Sequence, residues 1–217
     1  MKFSAIYKPT ALFSLRDSNS TSSGAKSLFL PSPYAIKMAF ISQAISLGGE
    51  NFNENIKHFD IIRDADISYN IKGNFCVNNC FVKVQKQRDN DPFKPTVSFR
   101  EYIFLDNDLE IIFEVQKVED VVFLKQYLYR INYLGKRGCF FQFVKYNDEP
   151  CEPNVKTFDV KALSFGILQE YDDFDKKITF NNVNSYSDAK TTRCKKILVL
   201  PIKSEGSSKS YSLYKVN

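Results

Sequence analysis

A repeated change of apolar period between Lys2 and Tyr146 constrains the fold of this chain more than any other feature. Side chains on a strand alternate between faces, whereas apolar residues on a packed helix recur every three or four positions. Lys2 to Leu15 sets Phe3, Ala5 and Tyr7 on one face and reads as a strand. Asp17 to Ser27 is rich in Ser, Asn, Thr and Gly and reads as a mobile loop. Helix signals then converge: Ser32 suits an N-cap, Pro33 the first helical position, and Gly48-Gly49 the end. Ile36, Phe40, Ala44 and Leu47 form its apolar stripe. Asn53 to Asp64 is a shorter helix carrying Ile56, Phe59 and Ile62. Ile67 to Ile71 and Cys80 to Lys86 read as strands, with Arg88 to Pro95 an exposed polar loop. Val97 to Leu105 and Leu109 to Val115 flank Asp106-Asn107-Asp108 and predict a hairpin. Val121 to Tyr133 is a helix with Val121, Leu124, Leu128 and Ile131 on one face, and Cys139 to Tyr146 is a strand.

The order strand, helix, strand, strand, helix, strand predicts an α+β, ferredoxin-like β-α-β-β-α-β domain, the arrangement of RNA-recognition (RRM) modules. Its sheet carries two helices on one face and leaves the other free, where such modules hold single-stranded bases. The fold serves many functions, so function has to be read from the site. Beyond the polar linker Asp148 to Pro153 come short strand-like runs: Thr157 to Lys161, Gly166 to Tyr171, Ile178 to Phe180, Lys195 to Ile202 and Tyr211 to Val216. The organisation expected is a domain over residues 1–147, with an insertion at about 50–95, and a β-rich C-terminal extension over 148–217. A chain of 217 residues, 43% hydrophobic, can build a core without staples.

The five cysteines, Cys76, Cys80, Cys139, Cys151 and Cys194, are an odd number, which fits free thiols in a reducing compartment. Cys76 and Cys80 have a C-x3-C spacing, but no second pair and no His cluster completes a metal site. No metal and no cofactor is expected. The residues from Met1 to Tyr7 lack the apolar run of a signal peptide, and no stretch is apolar enough for a membrane span. A cytoplasmic protein is expected. Nucleotide-binding and hydrolase signatures of the G-x-x-x-x-G-K-[ST] and G-x-S-x-G types are absent, and Asp106/Asp108 and Asp172/Asp173 read as turn and surface residues.

Charge is segregated along the chain. Met1 to Leu47 holds five basic groups against one acid, and Lys190 to Lys203 five against none. Asp106 to Asp120 holds six acids against one lysine, and Asp148 to Lys176 eight against three. From Val121 to Asn147 there are five basic residues and no acid. That stretch contains Tyr133-Leu134-Gly135-Lys136-Arg137-Gly138. Two glycines let a backbone approach a bulky partner, and the two cations between them suit phosphate oxygens. A helix C-cap at Gly135 followed by a solvated turn is the plainer alternative.

Three segments resemble the CRISPR-associated RAMP superfamily. They are Phe29 to Ala39 (FLPSPYAIKMA) at the entry to the first helix, Ser98 to Tyr102 (SFREY), and Ile131 to Gly138 (INYLGKRG). Within it the chain is most like the Cas-five family, the subunit at the 5′-handle end of the guide RNA in type I (Cascade) complexes. The resemblance covers roughly the first two thirds of the chain. It implies a guide-RNA (crRNA) binding subunit without catalytic residues, acting in antiviral defence. It implies contacts to the backbone and large subunits of the complex, with target DNA engaged indirectly. The stretch between Asn70 and Pro95, with Lys72, Lys83, Lys86, Arg88 and Lys94, would be a thumb reaching the neighbouring backbone subunit. The glycine-rich loop of the family is thin here, with Gly135 and Gly138 alone.

The residues expected on RNA are Lys136, Arg137, Gly135, Gly138, Arg130 and Tyr133 at the loop, and Lys26, Ser27, Tyr34 and Lys37 around the first helix. Arg100 joins them from its strand, and Lys83, Lys86 and Arg88 from the insertion. Tyr7, Tyr34, Tyr102, Tyr133, Phe141 and Phe143 are candidate stacking platforms. His58, the single histidine, would serve a metal-independent repeat-RNA endonuclease, the alternative on the same fold. A protein-interaction module with incidental basic patches is the other alternative.

Overall fold

The computed structural model describes residues 1–21, 24–48, 58–88, 91–184 and 187–217, leaving out the side chains at 25, 86, 88, 91 and 92. Along the chain the elements are β1 (Lys2–Pro9), β2 (Leu15–Arg16), β3 (Gly24–Ala25), β4 (Ser27–Leu28), α1 (Pro33–Gly48), α2 (Phe59–Asp64), β5 (Asp66–Asn70), β6 (Asn74–Arg88) and β7 (Asp91–Leu105). They continue as β8 (Leu109–Glu114), α3 (Val118–Leu128), β9 (Phe141–Asn147), β10 (Lys156–Thr157), β11 (Ile167–Phe174), α4 (Phe180–Val183), β12 (Arg193–Leu200), β13 (Ile202–Ser207) and β14 (Tyr211–Val216).

One antiparallel sheet has the order β5-β8-β1-β9. By appearance in the chain its strands are second, third, first and fourth, with α1 following the first and α3 the third. Phe3 lies opposite Phe113 and stacks on it at 5.2 Å. Phe40 of α1 meets Phe113 edge-on at 5.7 Å, and the Tyr7 hydroxyl donates to the Leu128 carbonyl at the end of α3 at 2.7 Å. Both helices therefore lie against the face that carries Phe3, Ala5, Tyr7 and Phe113. Each large apolar side chain buried there contributes about 1.5–3 kcal/mol.

Helix α1 begins where its capping residue predicts, with the Ser32 hydroxyl accepting from the Ala35 N–H at 3.1 Å. Such a cap contributes about 1 kcal/mol. Ile36, Phe40 and Ala44 are buried, but Leu47, assigned to the same stripe, is exposed in the last turn. Of the short helix expected over Asn53 to Asp64, the structure describes Phe59–Asp64; Ile56 lies outside the described residues.

The hairpin expected between Val97–Leu105 and Leu109–Val115 does not form. β7 pairs instead with β6, from Phe75 opposite Leu105 to Arg88 opposite Asp91, giving a long two-stranded arm. At its root the Asp106 carboxylate accepts from the Asn74 N–H at 2.6 Å and the Asn74 side-chain amide at 2.7 Å. The chain there leaves one sheet and enters β8 in the other. Leu109 to Phe113 are all buried, as a strand flanked on both sides requires. The segment Asp91 to Pro95, expected in a loop, belongs to β7.

The C-terminal strands are knitted into the rest. β14 pairs with β6 and β13, giving a sheet of order β13-β14-β6-β7-β3. Phe29 joins it to the core through edge-on contacts with Phe75 at 5.4 Å and Tyr214 at 5.1 Å. A third sheet, β10-β12-β11, packs β11 against α1. There Lys37 and Asp173 form an ion pair at 2.8 Å, only 3% and 4% exposed, and Lys37 also donates to the Arg63 carbonyl at 2.8 Å. Lys196 reaches the same carboxylate at 3.0 Å. Ile178, expected in a strand, is a buried residue before α4.

The sheet face away from the helices is partly covered rather than free. Glu110 accepts from the Ser4 hydroxyl at 2.6 Å and from the Cys151 N–H at 3.3 Å. The Asn154 and Val155 N–H groups donate to the Tyr69 carbonyl of β5. The segment read as a linker thus lies along this sheet. Among the described residues no helix is long and apolar enough to cross a membrane.

Candidate nucleic-acid interface

The cationic turn after α3 is held by its apolar ends. Leu134 and Cys139 are buried, and the Leu134 N–H donates to the Cys139 carbonyl at 3.2 Å. The Cys139 N–H closes the turn on the Lys136 carbonyl at 3.0 Å. Burial pushes the Cys139 thiol above its ordinary range. Gly135 and Gly138 have φ of +81° and +97°, a region costly for side-chain-bearing residues. A Cβ on Gly135 would stand 2.8 Å from the Leu15 Cδ2, so glycine also lets the turn lie on β2. With both ends anchored inward, Lys136 and Arg137 are left exposed.

Beside this turn is a cavity of about 690 Å³. Arg16 from β2, Arg100 and Tyr102 from β7, and Lys136 line one side. Ser32, Tyr34 and Ala35 at the start of α1 contribute next, and Glu170, Asp172 and Arg193 line it from β11 and β12. The Asp17 to Ser20 turn joins these sides. Ser18 donates to Asp172 at 3.3 Å and Asn19 to Glu170 at 2.6 Å. The Arg16 guanidinium is held at Ser20, its Nε on the hydroxyl at 3.1 Å, so no carboxylate neutralises it among the described residues. Arg193 differs: its guanidinium pairs with Asp172 at 2.9 Å and lies 4.1 Å from the centre of the Tyr34 ring. Burial lowers the Arg193 pKa while Asp172 and Tyr34 raise it, with the rise prevailing. Hydrogen bonds from Lys195 and Asn19 hold the Glu170 carboxyl below the usual carboxylate range.

The structure gathers Tyr34, Arg100, Gly135 and Lys136 at this cavity. Arg137 and Gly138 are exposed beside it, and Tyr133 is half-buried, bridged to Phe140. Arg130 is exposed away from the cavity lining, with its Nε donating to the Tyr129 hydroxyl at 2.8 Å. Lys26 is exposed at the end of the turn before β4. Lys83 is exposed on the arm, while the side chains of Lys86 and Arg88 lie outside the described residues.

Several expectations are corrected. Lys37 is committed to the buried Asp173 pair and cannot reach a phosphate. Ser27 is buried, its hydroxyl accepting from the Leu15 N–H at 2.9 Å and its own N–H donating to Glu101 at 2.8 Å. Of Asp17 to Ser27, expected to be a loop, the described residues hold a hydrogen-bonded turn, β3 and the first residue of β4. Tyr7 and Phe141 are core residues rather than platforms, and the half-buried Phe143 packs edge-on against Tyr7 at 5.7 Å. His58 is exposed at the start of α2, its ring 4.5 Å from that of Phe123. No local motif in the sequence marks Arg16, Asp172 or Arg193 as site residues. The acid-free run from Lys190 to Lys203 was the available signal for Arg193.

No family model matches this chain. Its sequence is nevertheless similar to that of a CRISPR-associated protein, in keeping with the RAMP resemblance. That relative, named CRISPR-associated protein Cas5 and found in Archaeoglobus fulgidus, is 28% identical over 189 residues, spanning 82% of this chain and 81% of its own length. Two solved structures also align with it. A CRISPR protein from Archaeoglobus fulgidus has a TM-score of 0.49 and 11% identity, over 100% of this chain and 92% of that one. A chain of a CRISPR RNA-guided surveillance complex has a TM-score of 0.44 and 10% identity, over 91% and 88%.

Proposed function

We propose that this chain is a guide-RNA-binding subunit of a type I CRISPR surveillance complex, holding the 5′ handle of the guide and serving antiviral defence in the cytoplasm. On this reading, residues 1–147 form a ferredoxin-like RAMP domain and 148–217 its extension, and the sheet order β5-β8-β1-β9 supports that description. The β6–β7 arm would be the contact to a backbone subunit. The large subunit would be a further partner, with target DNA met through the complex. Similarity to a protein named Cas5 supplies the context. The observation that carries the reading is the exposed Lys136-Arg137 turn, pinned by Leu134 and Cys139 at the rim of a cavity also lined by Arg16, Arg100, Tyr34 and Tyr102.

Cations displace counterions from a single strand, so affinity should fall with salt, by a slope of about −0.7 for each phosphate neutralised. Replacing both Lys136 and Arg137 by Ala should weaken binding of a repeat-derived single strand and flatten the slope by about 1.4. Fluorescence anisotropy across a salt series measures both. An affinity and slope equal to those of the parent protein would refute the assignment.

A further inference from the structure

The cavity carries three acids, Asp17, Glu170 and Asp172, among its cations, an arrangement poorly suited to phosphates alone. Arg193 sits at this acidic side with its charge already matched by Asp172 at 2.9 Å. Beyond its N–H donors it offers a flat surface. Its guanidinium lies 4.1 Å from the centre of the Tyr34 ring, and Phe174 holds that ring edge-on at 5.2 Å. The guanidinium carbon thus lies close over an aromatic ring, and a carboxylate helps to fix its orientation. The side chain is 43% exposed and lines the cavity, so part of it remains accessible from there. Guanidinium planes, like aromatic rings, stack unpaired bases, and a plane fixed in advance loses little freedom when it does so.

We propose that Arg193, seated on Tyr34, is the stacking surface of a nucleobase subsite, and that Asp172 and Glu170 beside it favour a base with an exocyclic amino group. The proposal rests on the RNA-binding reading above and deepens it. Asp172 and Glu170 are two apart on β11 and so share a face of the strand, and both line the cavity. Glu170 takes Asn19 and Lys195 through Oε1, each at 2.6 Å, which leaves Oε2 with acceptor capacity. Ionised carboxylates accept and do not donate. They bond the amino group of cytosine, adenine or guanine and oppose the O4 carbonyl of uracil. Asp172 is matched by Arg193 and Glu170 by Lys195, so phosphates are left to Arg16 and Lys136. The cavity therefore sorts a strand, with its sugar-phosphate chain toward β2 and the cationic turn and one base toward β11 and β12.

The test uses the whole chain and a short labelled oligouridine, with a matched strand carrying one cytidine or guanosine. The parent protein should bind the amino-bearing strand roughly fivefold or more tightly than oligouridine. Arg193→Lys keeps the charge and the Asp172 pair but loses the plane. It should weaken that strand at least about fivefold while leaving the salt slope unchanged. Glu170→Gln with Asp172→Asn should erase the preference between strands. Ultraviolet crosslinking of the unmodified protein, read by mass spectrometry, should place the base on the peptide holding Tyr34 or that holding Arg193, which needs no variant to fold. The subsite is overturned if Arg193→Lys binds as the parent does, if the carboxamide variant keeps the preference, or if crosslinks map elsewhere. If these results arise while the Lys136/Arg137 double variant still loses affinity, only the subsite fails. If the parent protein binds no strand at low salt, the RNA-binding reading fails with it.

Discussion

Replacing Asp173 by Ala tests what anchors α1 to the C-terminal sheet. Asp173 and Lys37 are 4% and 3% exposed, and Lys37 depends on Asp173 for its paired counter-charge, whereas Asp173 also meets Lys196. Without the carboxylate, Lys37 keeps the Arg63 carbonyl at 2.8 Å, its position 5.6 Å from the Phe174 ring centre and the longer-range charge of Asp64. Lys196, at 35% exposure, can turn to water and retains Asp66 at 3.3 Å. The cost is therefore that of one buried ammonium left without its counter-charge, about 3–5 kcal/mol. A chain of this size loses roughly 2–4 °C of thermal midpoint per kcal/mol, so the drop should be about 6–20 °C. Circular dichroism melting and denaturant titration measure it. Lys37→Met combined with Asp173→Leu removes both charges at similar volume and should recover most of the loss, since buried pairs exchanged for apolar groups are often neutral or better. A single variant within about 1 kcal/mol of the parent would refute the reasoning. So would a double variant no more stable than the single one.

Other outcomes follow from the turn and from surface pairs. Gly135→Ala should cost about 2 kcal/mol, from its φ and its contact with Leu15, while Gly138→Ala, with open space around it, should cost about 1 kcal/mol. Equal losses in melting experiments would remove the packing role of Gly135. The hydrogen bond from Arg63 holds the Asp64 carboxyl below its ordinary range. A lowered folded-state pKa gives stability that is present above the unfolded value, about 3.9, and is lost as pH falls through the folded one. Glu170 acts in the same direction. The thermal midpoint should hold level from about pH 7 to 5 and fall below about 4, and Arg63→Gln should shrink that fall. A midpoint that rose on acidification would contradict these assignments.

How much the sequence discloses varies by element. Helix α1 is legible because its signals are local: Ser32 caps it, Pro33 opens it, and its apolar residues recur at helical spacing. β14 runs over Tyr211–Val216 as its alternation predicts. Pairing is harder, because an alternating strand shows which side chains turn inward but not which strand lies beside it. Hence β7 and β8, neighbours in sequence with a turn between them, enter different sheets. The fate of Lys37 depends on Asp173, far along the chain, and no local pattern distinguishes it from a solvated lysine. Glycine spacing around Lys136 and Arg137 marks the turn locally. Arg16, Asp172 and Arg193 come together only through folding, each from a different strand or strand end.

The root of the arm is completed late in the chain, because residues 211–215 supply the strand beside residues 74–78. During synthesis the 74–78 end of β6 must wait, with its outer edge unpaired, until nearly all the described residues have been made. Closures between distant segments form slowly, and waiting strand edges invite association with other chains. Yield on expression should therefore depend on temperature and on chaperone supply more than the equilibrium stability of the finished molecule would indicate.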